Sequence, residues 1–274
     1  MTIDDAARAP VDPEHVERLL REQGIAWPRP VVVDSTGSTN ADVMALAIAG
    51  APEGTVIVAD EQTAGRGRLG RSWISAPGSG LWVSALVRVP AGGGVSPGLL
   101  PLLAGVAVAD AIRVQGVAAV LKWPNDVIID DPDPAPGRSA LRKLAGILSE
   151  GDGSGGVVIG MGINVSLSVD ELPVPQATSL ALEGASVSRS DLLVGILAGL
   201  HEALDDLRST GGTVTMREYR RLCATVGRDV TATLPSGHVL AGRAVDIADD
   251  GRLVIDTGAK REYVAAGDVI HATI

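Results

Sequence analysis

The apolar pattern begins with a helix. Asp12-Pro13 sets an N-cap before a proline at the first helical position, Val16, Leu19 and Leu20 share one face, and Gly24 ends the segment. Val31 to Val33 reads as a short strand. Ser38-Thr39-Asn40 follows a turn at Gly37 and predicts a second helix with Val43, Met44, Ala47 and Ile48 on its face. Thr55 to Ala59 is strand-like, and Leu81 to Val89 alternates, with Leu81, Val83, Ala85, Val87 and Val89 on one side. Leu99 to Val114 predicts a buried helix. Val120 to Ile129, Leu144 to Leu148 and Val157 to Val165 predict strands, the last two paired across a turn at Gly151 to Gly156. A stripe of Leu193, Ile196, Leu197, Leu200, Leu204 and Leu207 predicts a further helix, and a shorter one runs from Val214 to Leu222.

After Cys223 the texture changes. Val230 to Leu234, Val239 to Ala248, Leu253 to Ile255 and Tyr263 to Ile270 read as short strands separated by Pro235-Ser236-Gly237, Asp249-Asp250-Gly251 and Gly258. Close-spaced strands after a mixed region predict a small barrel or sandwich. The expected organisation is a helical segment over 1–30, a main domain over 31–223 and a small β domain over 224–274. Asp130 to Gly137, rich in proline and aspartate, predicts a solvated loop.

Composition narrows the function. The 33 acidic residues outnumber the 23 basic ones, for a net charge of −10, which argues against a general nucleic-acid binder. Aromatic residues are 2% with no Phe, too few for a base-stacking platform. A single cysteine, Cys223, excludes an internal disulfide and predicts a buried, inert thiol. The uncharged stretch Val89 to Ala109 is broken by Pro90, Gly92 to Gly94, Pro97 and Pro101, too early for a membrane span of about 20 residues. Asp4, Asp5 and Arg8 stand where a signal peptide needs an apolar run. A soluble, cytoplasmic protein is expected.

Three clusters carry candidate chemistry. Gly65, Gly67 and Gly70 satisfy the dinucleotide pattern G-x-G-x-x-G, but Ser72 to Gly78 leads into another strand where that fold needs a helix. The glycines and Arg66, Arg68 and Arg71 instead suit an anion site, or else a solvated loop. Lys122-Trp123-Pro124-Asn125-Asp126 joins a cation, an amide and a carboxylate at a strand end, where a plain turn is the competing reading. Lys143 precedes an apolar strand, where a lysine in isolation reads as an edge guard. His15, His201, His238 and His271 are scattered, so a zinc site is not expected, and the metal ligands stay unknown. Gly151 to Gly156 lacks a serine-hydrolase frame and reads as a hairpin tip.

Together these pieces resemble the biotin protein ligase family. The matching elements come in the family's order: Ser38-Thr39-Asn40; Gln62 with Gly65 to Arg71 and Trp73; Lys122 to Asp126; Lys143-Leu144-Ala145-Gly146-Ile147-Leu148; and Gly160-Met161-Gly162-Ile163-Asn164. The resemblance implies an α+β fold, a mixed β-sheet flanked by helices as in class II aminoacyl-tRNA synthetases and lipoate ligases, followed by a small SH3-like domain. It also implies a ligase that forms biotinyl-5′-AMP from biotin and ATP with Mg2+, then transfers biotin to a lysine of a biotin carboxyl carrier domain of an acyl-CoA carboxylase. No nucleic-acid or membrane partner is expected. About thirty residues precede the first strand, too few for the helix-turn-helix domain of some members, so the enzyme-only form is expected.

By the same resemblance, biotin falls to Ser38, Thr39, Asn40, Gln62, Arg66, Gly67, Arg68 and Lys143, with Gly146 and Gly162 letting strand backbone approach it. The nucleotide falls to Arg66, Arg68, Arg71, Trp73, Lys122, Asn125 and Asn164. Lys143, Arg68 and Asp126 are the catalytic candidates. Asp126 assists the incoming lysine, positions magnesium or orients Lys122, three roles left open. The competing readings are a lipoate or octanoate ligase on the same fold and a non-catalytic biotin or nucleotide-binding regulator.

Overall fold

Asp12 caps the first helix by accepting from the Glu14 and His15 backbone N–H groups at 2.9 and 3.1 Å. That helix, α1, spans Pro13–Glu22. The computed structural model describes residues 8–73, 76–89, 96 and 98–271. Asp4, Asp5, Ile74, Ser75, Pro90, Gly92 to Gly94 and Pro97 lie outside the described residues.

A mixed seven-stranded sheet follows, built from β1 (Val31–Thr36), β2 (Val56–Gln62), β3 (Gly80–Arg88), β4 (Ala119–Lys122), β5 (Asp126–Asp130), β6 (Leu141–Gly151) and β7 (Gly156–Asn164). Its spatial order is β1-β2-β3-β7-β6-β5-β4. Only β1 and β2 are parallel, joined by the crossover helix α2 (Thr39–Ile48). The alternation in β3 decides which face is which. Leu81, Val83, Ala85 and Val87 enter the main core against α3 (Leu99–Val114), α4 (Arg189–Thr210) and α5 (Thr213–Leu222). Leu86 turns to the opposite face, where it packs with Val43, Ala47, Ile57 and Val158 under α2. Beyond the reach of α2, that second face carries the cleft described below.

The second sheet is antiparallel, with β8 (Asp229–Thr233), β9 (Val239–Ile247), β10 (Leu253–Asp256), β11 (Arg261–Val264) and β12 (Asp268–His271) in the order β11-β10-β9-β8-β12. The two sheets are locked around Trp123. Its backbone N–H donates to Thr225 Oγ1 at 3.0 Å and its indole N–H to Gly251 O at 3.0 Å.

Two expected strands are each a pair. Val120 to Ile129 is broken at Trp123-Pro124-Asn125, where proline cannot donate to a ladder, so β4 and β5 form a hairpin. Tyr263 to Ile270 divides at Ala265 to Gly267, which carries the chain from one edge of the second sheet to the other. Among the described residues no helix is long and apolar enough to cross a membrane.

Candidate functional site

Two sheet irregularities make the cleft. A β-bulge in β6 leaves Leu144 unpaired, since Val127 faces Ala145 and Ile128 faces Lys143. The bulge keeps Leu144 and Ala145 in the core while Lys143 and Gly146, three positions apart, both reach the cleft. In β7 the alternation is regular: Ile159, Met161 and Ile163 enter the core, and Gly160, Gly162 and Asn164 face the cleft. The resulting cavity of about 410 Å³ is lined by every residue to which the sequence assigned a catalytic, biotin-binding or nucleotide-binding role.

At one end, Ser38 is the N-cap of α2 without spending its side chain on a backbone N–H. Gln62, at the end of β2, takes over that duty: its Oε1 accepts from Thr39 N at 2.9 Å. Thr39 Oγ1 lies 2.7 Å from Ser84 Oγ, which donates to Asn40 Oδ1 at 2.6 Å. Ser38, Thr39, Asn40 and Ser84 are all buried, so this end is a niche of fixed hydrogen-bonding groups.

At the other end the arginine-rich segment folds as a small hairpin. Gly67 N donates to Arg71 O and Trp73 N to Gly65 O, at 2.7 and 2.8 Å. Gly65 is required there, because a Cβ would stand 2.5 Å from Trp73 O. The tip is a tight turn in which Leu69, with φ of 56°, is the only described non-glycine residue in the left-handed region. Arg68 Nη1 donates to Asn125 Oδ1 at 3.0 Å, and Asn125 Nδ2 in turn donates to Ile147 O at 2.9 Å. Burial pushes the Arg68 guanidinium below its ordinary value, against the opposing pull of Asp126 and Asp268. Lys143 Nζ pairs with Asp126 Oδ1 at 2.5 Å and stands 5.3 Å from the Trp73 ring centroid. Lys122, Asn125 and Asp126 reach the cavity from the β4–β5 turn.

Three placements differ from expectation. The space over Gly146 and Gly162 is filled by Trp73: Cβ atoms there would stand 2.8 and 2.7 Å from its ring. Those glycines seat an indole, which the sequence pattern could not distinguish from a seat for a ligand. Asn164 spends its amide within the protein, donating to Thr178 O at 2.9 Å beside Lys143 O. Lys143 is no edge guard, since β6 lies between β5 and β7.

Other residues of the site escaped sequence reading. Ser84, on β3, is a hydroxyl on a strand buried along both faces, and that was the available signal. Glu150, on β6, accepts from Asn40 and Arg66. Asp268 of the second sheet pairs with Arg71 across the cleft mouth, where nothing in a single sequence links the two. Among the described residues no group of three or more His, Cys, Asp or Glu side chains is placed to hold a metal.

A model described as the biotin/lipoate A/B protein ligase family matches residues 32–166, and one described as the biotin protein ligase C terminal domain matches 225–272. The biotin–[acetyl-CoA-carboxylase] ligase of Mycobacterium tuberculosis is 40% identical over 281 residues, covering 99% of both chains. The chain belongs to the biotin protein ligase family. Within that family it is also similar to a bifunctional ligase/repressor of Bacillus subtilis, 34% identical over 85% of this chain and 71% of that one. Among solved structures, the biotin protein ligase of Aquifex aeolicus in complex with biotin and ATP superposes with a TM-score of 0.75 at 26% identity, over 89% of this chain and 98% of that chain.

Proposed function

We propose that this biotin protein ligase family member activates biotin with MgATP to biotinyl-5′-AMP and transfers the biotinyl group to a lysine of the biotin carboxyl carrier domain of an acetyl-CoA carboxylase. The observation that carries this reading is one continuous cleft joining a polar niche to a cationic wall. A cyclic urea offers a carbonyl and two N–H groups, and the Ser38–Thr39–Gln62 end offers oriented hydroxyls and an amide to meet them. A long acyl chain such as lipoate or octanoate has no polar ring to meet these groups and would take up none of the hydrogen bonds they offer to the cleft.

In the first step a biotin carboxylate oxygen attacks the ATP α-phosphorus, and the bond to the β-phosphate oxygen breaks to release pyrophosphate. Both partners are anions, so the site must offset their repulsion as they meet. Lys143 on β6 and Arg68 on the hairpin, held at the neighbouring Asp126 and Asn125, supply that charge, with Arg66 and Arg71 also lining the cleft. Lys143 leaves Asp126 for the reacting oxygens, which frees the Asp126 carboxylate. Magnesium suits one or two carboxylates together with phosphates; in this step Asp126, once Lys143 has left it, is the cleft carboxylate that would hold the ion, which would neutralise the polyphosphate. Trp73, seated on Gly146 and Gly162, offers an aromatic face between the two ends, with Asn125 holding Arg68.

In the second step the carrier lysine, as a free amine, attacks the acyl carbon. An amide bond forms, the acyl–phosphate bond breaks and AMP leaves, with the amine proton lost. Asp126 stands ready to take that proton once Lys143 has left it. In this reading residues 31–223 form the catalytic domain and 224–274 a C-terminal domain that closes the cleft mouth through Asp268. A cytoplasmic setting suits a carboxylase partner, and the acidic surface disfavours nucleic acid. ATP–pyrophosphate exchange tests the first step. Exchange that depends on biotin is expected, and exchange driven by lipoate or octanoate instead would overturn the reading.

A further inference from the structure

Behind the polar niche, outside the cavity lining, lies a carboxylate that the two-step chemistry does not use. Glu150 Oε2 accepts from Asn40 Nδ2 at 2.7 Å and from Arg66 Nη2 at 3.1 Å. A carboxylate presents acceptors only, so the Asn40 amide must turn its NH2 toward Glu150. The same NH2 lies 3.3 Å from Leu148 O, and the Asn40 carbonyl therefore faces Ser84. The amide has no room to evade this choice. Asn40 is 4% exposed, and its Oδ1 occupies the place where a Cβ on Gly160 would be.

The consequence runs along the chain of hydroxyls. Ser84 has one proton, and the Asn40 carbonyl takes it at 2.6 Å. The Ser84 oxygen is then left only to accept. Thr39 has two acceptors in reach of its own proton, Ser84 Oγ at 2.7 Å and Gln62 Oε1 at 3.2 Å. With Ser84 committed, the Thr39 proton goes to Ser84, and Gln62 Oε1 is served by Thr39 N–H instead. Thr39 Oγ1 is thereby fixed as an acceptor where it lines the cleft.

We propose that Glu150 is a positioning residue that sets the proton direction of the Asn40–Ser84–Thr39 chain, so that Thr39 meets a ureido N–H of biotin as an acceptor. The inference rests on the biotin reading above. The same carboxylate oxygen tethers Arg66, so one residue couples the ring-reading niche to the arginine hairpin.

Glu150→Gln tests this, because an amide of nearly the same shape can also donate, which leaves only the longer 3.3 Å contact to Leu148 O to hold the Asn40 orientation. Calorimetric titration of the full chain with biotin, without ATP, is expected to show binding weakened by about tenfold or more. The thermal midpoint should stay near wild type, and ATP affinity should do so in Ser84→Ala, where Arg66 keeps its partner. Biotins methylated at each ring nitrogen supply the sharper readout. One of them should lose about tenfold or more in the wild type, and less than about threefold in Glu150→Gln, where the acceptor is no longer fixed. Ser84→Ala, which breaks the same chain but leaves the Glu150–Arg66 pair, should reproduce the pattern even if Glu150→Gln folds poorly. Unchanged biotin affinity in both variants, or an equal methylation penalty with and without Glu150, would overturn the proposal. A wild type that binds ATP but not biotin would instead overturn the biotin reading, and this inference with it.

Discussion

Arg68 is a mostly buried cation whose only side-chain hydrogen bond among the described residues runs to a neutral amide, that of Asn125. Burial lowers its guanidinium below the ordinary value, which marks a charge without a bonded counterion. The phosphate of an acyl-adenylate would supply one. A charge-assisted contact of that kind contributes ~1.5–3 kcal/mol, so Arg68→Ala should release biotinyl-5′-AMP roughly tenfold to a hundredfold more readily. Synthesis should survive in part, because Lys143 and Arg66 still offset the developing charge. Stability should hold, since the substitution removes a buried charge and no ion pair. The assay incubates the variant with biotin, MgATP and an unrelated lysine-rich protein, then measures biotin on that bystander. The enzyme itself competes little for the escaping acyl group. Its three lysines are Lys122 and Lys143, both in the cleft, and Lys260, which is paired with Glu262. Equal bystander labelling by wild type and variant, with pyrophosphate release preserved, would refute the assignment of Arg68 as the latch.

Lys143→Ala should slow biotin-dependent pyrophosphate release by about a hundredfold or more while changing the biotin KM little, since its charge acts mainly as the phosphate is attacked. Normal turnover with a raised KM would reduce it to simple binding. Asp268→Asn removes an exposed partner of Arg71, a pair worth no more than about 1 kcal/mol. ATP KM should rise less than about fivefold, and hydrogen exchange over 65–73 should quicken; unchanged exchange would mean that the second sheet does not steady the hairpin. Burial, with Lys122 and Arg228 nearby, lowers His271 to about 4, so it is neutral at pH 7 while bonded to Thr225. As pH falls from about 6.5 toward 4, the unfolded chain takes up a proton that the folded chain refuses, and stability drops by roughly 2–3 kcal/mol. His271→Gln should lose that part of the acid sensitivity in urea titrations at pH 7 and pH 4.5, and parallel behaviour of the two proteins would contradict it.

Much of this architecture was legible because burial enforces period. Leu81 to Val87 alternate since one face of β3 meets α3 and α4, and α3 itself matched its apolar run from Leu99 to Val114. The site residues were legible as ordered short motifs, and every one of them lines the cleft. What stayed hidden depends on relations between distant segments. The bulge at Leu144, which turns Lys143 and Gly146 to the same side, breaks the rule on which strand reading rests. Gly146 and Gly162 seat the Trp73 ring, a pairing visible only once β6, β7 and the arginine hairpin are together. Glu150 and Asp268 look like ordinary surface acids along the chain, and become parts of the site only through Asn40, Arg66 and Arg71.

The central claim is that this cleft makes an acyl-adenylate and hands its acyl group to one lysine of a carrier domain. The most direct measurement is the intact mass of a biotin carboxyl carrier domain after incubation with the protein, MgATP and either biotin or lipoate. The carrier should gain a single biotinyl group, lost when its acceptor lysine is replaced by arginine. A carrier of unchanged mass with biotin, and one that gains lipoate instead, would contradict the account.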